Sequence, residues 1–197
     1  MCGMNPRVVS EAVTLVQLCD PKGNRVAHLD SAHSDPVNID IVHHMIHDEK
    51  FFSFVVIDVD VDIETPKYIR ITTPNTDARI HFTGQVYVTA ASLIELYENP
   101  TINTAGSPVT IYNNDRNSIV ATTATAFEDT TTTAPDNDGT RIDAGRAGGA
   151  ARPNFRIGGE TARRNEWILK QNEDYLIKIT PDADNTEVVI SITWYEV

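Results

Sequence analysis

The chain has 197 residues, 41% of them hydrophobic and 22% charged, with a formal net charge of −12. That length can bury one sizeable core, and the composition is that of a folded chain. The acidic excess argues against a nucleic-acid partner, which needs clustered Lys and Arg, and no stretch approaches the apolar length of a membrane helix.

Residues 1–40 contain one apolar stretch, VVSEAVTLVQL, followed by a polar run punctuated by Pro21, Gly23 and Pro36. The stretch has mixed periodicity, and the segment reads as an extended N-terminal arm preceding a β domain at 41–197. Its start lacks the basic region and continuous apolar run of a secretion signal, and Cys2 and Cys19 are the only cysteines. Synthesis in a reducing cytoplasm without a disulfide framework is expected.

IVHHMIHDEKFF follows, with His43, His44 and His47. On a helix His43 and His47 share a face; on a strand His43, Met45 and His47 do. Neither an HExxH motif nor the glycine-bearing motifs of a cupin accompany them, and His81 is the only histidine further along the chain. No metal site is expected, and packing or subunit contacts suit His43 and His47 better.

From Phe51 the period becomes two. In FFSFVVIDVDVDIE, Ile57, Val59, Val61 and Ile63 alternate with Asp58, Asp60, Asp62 and Glu64, which predicts a strand with the first set buried and the second solvated. The alternating carboxylates invite a calcium reading, but an EF-hand loop needs a glycine at its sixth position and a glutamate at its twelfth. Like charges along an exposed strand can instead deter wrong pairing.

KYIRITT, RIHFTGQVYVTA, LIELYE, PVTIYN, SIVATTATA, DYLIKIT and EVVISITWYEV continue the style, rich in Val, Ile, Thr and Tyr and separated by turn formers. With no long helix in view, the expected fold is all-β: an antiparallel β-sandwich or jelly roll. Trp167, Trp194 and Tyr195 lie in strand-like stretches and read as core, with a carbohydrate-stacking platform as the alternative.

Two segments break the strand pattern. ELYENPTINTAGSPVTIYNNDRNS, 95–118, begins as a strand and becomes a run of turn formers. Asn113, Asn114, Asp115, Arg116 and Asn117 supply short-range hydrogen bonders that can fix a turn and present Arg116 to a partner carboxylate. From about 129 to 165 a Thr-, Gly- and Arg-rich stretch predicts a long loop. It holds Arg141, Arg146, Arg152, Arg156, Arg163 and Arg164, with Asp143 and Glu160 as the only acids between the first and last of them. The rest of the chain is strongly acidic, so two patches of opposite sign are available for contact with copies of the chain or with an acidic neighbour. No nucleophile elbow, phosphate loop or catalytic carboxylate pair stands out, so no enzyme activity and no cofactor are expected.

Taken in order, His43-x-x-x-His47 followed by Phe51, the ITTPNTDARIHF segment, LYENPT…YNNDRNS, the Gly/Arg-rich stretch and the ending EWIL…YLIKIT…WYE resemble the head decoration, or cement, proteins of tailed bacteriophages, over residues 40 to 197. That resemblance implies a jelly-roll homotrimer on the capsid exterior of the virion. It would bridge capsomers of the major capsid protein. On that expectation Arg116, together with the six arginines from Arg141 to Arg164 or the N-terminal arm, engages neighbours, and His43 and His47 are candidates for trimer contacts. The alternative expectation is a receptor- or glycan-binding fibre or tail module on the same sandwich. A metal-dependent cupin-like enzyme using His43, His47 and His81 is a third.

Overall fold

The computed structural model describes residues 41–132, 137–149, 154–158 and 166–197. The expected arm at 1–40, together with Arg152, Arg163 and Arg164, lies outside the described residues. In chain order the elements are α1 (Ile41–His47), β1 (Phe51–Val61), β2 (Lys67–Thr72), β3 (Ile80–Val88), β4 (Ser92–Glu98), β5 (Ile102–Thr104), β6 (Ser107–Pro108), β7 (Tyr112–Asn113), β8 (Thr125–Glu128), β9 (Thr131–Thr132), β10 (Thr140–Ala147), β11 (Asn154–Ile157), β12 (Trp167–Ile168), β13 (Asp174–Pro181) and β14 (Thr186–Glu196).

The fold is an all-β sandwich of antiparallel sheets. One sheet runs β11-β3-β14-β1-β7, with β12 also on β3; the other runs β10-β4-β13-β2-β8-β6, and β5 pairs with β9 as a short ribbon. Strands close in sequence mostly lie in opposite sheets. β1 pairs with β14 at the other end of the domain, Phe54 opposite Ile192, and β2 pairs with β13, Ile69 opposite Ile177.

Period-two burial builds the core. Phe52, Phe54 and Val56 of β1, Ile80, Phe82 and Val86 of β3, and Val188, Ile190, Ile192 and Trp194 of β14 face Ile69 and Ile71 of β2, Ile94 and Leu96 of β4, and Tyr175, Ile177 and Ile179 of β13. Each fully buried aliphatic or aromatic side chain stabilises the fold by about 2 kcal/mol relative to exposure. Trp194 sits at the centre, its ring 6.0 Å from those of both Phe52 and Phe54. It is core, so it offers no surface for stacking a sugar.

Two expectations need correction. Ile57, Val59 and Ile63 are exposed, at 62%, 67% and 45%, as is Val55 at 56%, whereas Phe54, Val56 and Val61 are buried. The reason is twofold. The alternate set Phe52, Phe54, Val56 carries more apolar bulk and takes the interior. A bulge then places two residues, Val59 and Asp60, against one, Glu187, which reverses the inward parity. Val59 and Val61, two apart in sequence, therefore lie on opposite sides.

The second concerns 129–165, expected as loop. It contains β10 and β11, and β10 pairs with β4 over most of its length, Arg146 opposite Leu93 and Gly145 opposite Ile94. Small residues disguised these strands. They form because the neighbouring strand supplies the ladder hydrogen bonds and the ring of Phe155 fills the space left by Gly145. SIVATTATA, read as a strand, is extended and paired only from Thr125, where β8 begins.

Candidate functional site

The turn that follows β7 is held as its side chains suggest. Asn113 is its buried centre: Nδ2 donates to the carbonyls of Glu49 at 2.8 Å and Val120 at 3.2 Å, while Oδ1 accepts from the Asp115 backbone N–H at 2.9 Å. Asp115 Oδ1 accepts from the Asn117 N–H at 3.0 Å, Ser118 Oγ accepts from the Val120 N–H at 3.0 Å, and Ser53 Oγ donates to Asn114 Oδ1 at 2.7 Å. The bonds to the Asp115 and Asn117 N–H groups are Asx-type, the Ser118 bond is their serine counterpart, and those to Glu49 and Ser53 are tertiary. They tie the turn both to β1 and to the segment just after α1.

The same turn leaves apolar groups outside. Ile119 is 99% exposed, with Val120 and Tyr112 also exposed. The Arg116 guanidinium lies over the Tyr112 ring at 4.8 Å and its Nη1 donates to the Asn113 carbonyl at 3.4 Å, so Arg116 is steered yet exposed. A few residues further on, the buried Glu196 carboxylate accepts from Thr122 Oγ1 at 2.5 Å, Thr123 Oγ1 at 2.7 Å and Trp194 Nε1 at 3.2 Å, anchoring the return of the chain to the core. Chain fixed on both sides of an exposed isoleucine pays its ordering entropy on folding, not on contact with a partner, which is how interface anchors behave.

The sequence-derived site residues divide. Arg141 Nη1 donates to the buried Glu95 at 2.7 Å, and Arg146 makes a two-pronged contact with Asp182 at 2.6 and 3.3 Å. Both arginines are thus paired within the chain on strand β10. Arg156 is exposed on β11. His43 and His47 do share one exposed face of α1, Nε2 to Nε2 at 3.0 Å with ring centroids 4.5 Å apart.

His81 sits elsewhere in function. It meets Glu166 Oε1 at 2.8 Å and stacks on Tyr195 at 4.4 Å, and the Tyr195 hydroxyl donates to the same carboxylate at 2.9 Å. Glu166 is thereby a clamp between β12 and the two strands beside it. Among the described residues no group of three or more His, Cys, Asp or Glu is placed to hold a metal ion. The three-histidine arrangement of a cupin-like site therefore has no geometric basis there.

A groove of about 450 Å³ opens where β1 ends and β2 begins, lined among others by Asp58, Asp60, Glu64, Lys67, Tyr68 and Asp129. Buried Lys67 is its pivot, 2.7 Å from Asp129, 3.0 Å from Asp58 and 3.3 Å from Glu128. Burial pulls the Lys67 pKa down, but the Asp129 and Asp58 carboxylates outweigh it and hold the ammonium well above its ordinary range. Burial raises that of Asp58, and the Lys67 ammonium with the Asp60 N–H outweighs it, leaving the carboxyl below the usual range. The alternating aspartates are visible in the sequence but Lys67 is not, since a single charge at the head of KYIRIT carries no periodic signal.

No protein-family model, curated protein or solved structure matches the chain. The class that fold and surface define is an antiparallel β-sandwich carrying a rigid turn with an exposed apolar tip.

Proposed function

We propose that the protein is a structural, non-enzymatic capsid decoration (cement) protein. It binds the outside of a tailed-phage head as a homotrimer and stabilises contacts between capsomers, its partners being the major capsid protein and its own copies. The observation that carries the reading is Ile119, an isoleucine left 99% exposed between Ser118 and Val120, both of which are hydrogen-bonded into the turn. Apolar surface held out in water on an ordered support suits protein contact.

Two further features support it. Counting only β1, β2, β3, β4, β10, β11, β13 and β14, the sheets run sixth-third-eighth-first and fifth-fourth-seventh-second, an order that suits the jelly roll this reading expects. Such domains are common in capsid proteins. The polar side chains in the conspicuous clusters, Lys67, Glu95, Glu166 and Glu196, are spent on structural contacts. The glycan-binding alternative loses Trp194, which is core.

Sedimentation or native mass of the purified protein, with a pull-down on phage heads stripped of it, tests the proposal. A trimer that sediments with the heads supports it. A monomer at micromolar concentration that ignores them removes it.

A further inference from the structure

The margin of the sandwich beside β7 is unfinished. β7 pairs with β1 only at Phe52 and Ser53, and among the described residues no strand continues alongside Phe54 to Val61. The Phe51 carbonyl accepts from the Asn114 N–H on this side, while the Lys50 carbonyl accepts from Glu196 on the other. Alternation along an extended strand therefore aims the N–H and C=O of Val55 and Ile57 at the open side. On a long edge such groups are a template for another strand.

The two faces of this edge differ in chemistry. Outward stand Val55, Ile57 and Val59, all more than half exposed, continued by Tyr112 opposite Ser53. At the far end of the edge, Asp58, Asp60, Glu64 and Asp129 surround Lys67 in the groove, a clear excess of negative charge. Two copies of this edge would bring acidic rims together, which disfavours a second copy and favours a cationic strand.

We propose that the open edge of β1 is a strand-addition site for an extended segment of another protein in which Lys or Arg alternates with Val or Ile. Its backbone pairs with Val55 and Ile57. Its apolar side chains extend the Val55, Ile57, Val59 stripe, and its basic side chains reach the acidic groove. Main-chain bonds give affinity in this mode, and alternate side chains give specificity. The inference rests on the edge alone and holds whether or not the capsid reading does.

The test measures fluorescence anisotropy of labelled octapeptides with the full-length protein. One peptide alternates Lys with Val and Ile, a second replaces Lys by Glu, and a third keeps the charge of the first but carries proline at two pairing positions. The first should bind at least about tenfold more tightly than either other peptide. Ile57→Lys and Asp60→Lys, both at exposed positions, should each weaken it by about tenfold with an unchanged melting curve. Equal binding of the proline peptide reduces the contact to bare charge attraction and overturns the proposal. No binding, or equal binding of the Glu peptide, overturns it as well. A dimer of the free protein broken by Ile57→Lys gives the edge to a second copy instead.

Discussion

The ring of Phe155 lies where a side chain on Gly145 would have to go, so these two residues, on strands of opposite sheets, behave as one packing unit. Phe155 is partly buried against the core, and Gly145 sits in β10 opposite Ile94. Gly145→Ala should destabilise the fold by about 1–2 kcal/mol, the usual cost of forcing extra volume into a packed site. In a Phe155→Ala background the same change should cost much less. Urea unfolding of the two single variants and the double variant measures the coupling, and additive effects would mean that the ring simply swings away.

Lys67 gives a second expectation. Removing it leaves the Asp129, Asp58 and Glu128 carboxylates facing one another around a buried stem. Lys67→Met should cost about 1–2 kcal/mol at neutral pH, less than breaking a fully buried pair, because the carboxylates left behind are one-third to two-thirds exposed. The deficit should narrow on acidification. Asp58 titrates below its unfolded value, so the stability it contributes is present above that value and is lost as pH falls through the folded one. Thermal melts of both proteins between neutral pH and pH about 3 follow this convergence.

Alkaline pH should act through different groups. Burial, and then the Glu95 carboxylate, push the Tyr97 phenol up to about 12. Burial likewise raises Tyr175, with Glu98 adding to it and the Lys170 N–H opposing, and the carboxylates around Lys67 raise that ammonium. Each of these folded values lies above its unfolded counterpart. Their stabilisation is complete below about pH 10 and is lost as pH rises through the folded values. The melting temperature should hold to about pH 10 and then fall, and ultraviolet titration should find Tyr97 and Tyr175 resisting ionisation until the chain unfolds.

Asn113 and Ile119 separate the support of the turn from its tip. Asn113→Ala removes the donor to Glu49 and Val120 and the acceptor for Asp115, which should cost about 2 kcal/mol. Ile119→Asp should leave the melting curve unchanged, because nothing in the fold touches a side chain 99% exposed. If the turn is the docking element, both variants lose binding to stripped heads, and Ile119→Asp does so without loss of stability. Unchanged head binding by Ile119→Asp would move the contact elsewhere.

Much of the fold was legible before any coordinates. Period-two stretches such as KYIRIT, IHFTGQVYV and TEVVISITWYE became β2, β3 and β14, because residues that alternate between a core and water write that alternation into the chain. Turn chemistry was legible too: β4 stops at Asn99, whose φ of 57° is the left-handed backbone that Asn tolerates, and Asn113 to Asn117 bond their own backbone.

Only the tertiary structure decided which side of β1 faces in, since Phe52, Phe54, Val56 and Val55, Ile57, Val59 are both apolar sets and the bulge changes the parity midway. Likewise, β10 owes its existence to β4 and to the ring of Phe155, and Arg141 and Arg146 their occupation to Glu95 and Asp182, which are distant in sequence. Local pattern reports whether a residue alternates. Packing between distant segments settles what each alternating face meets, and so which groups remain for a partner.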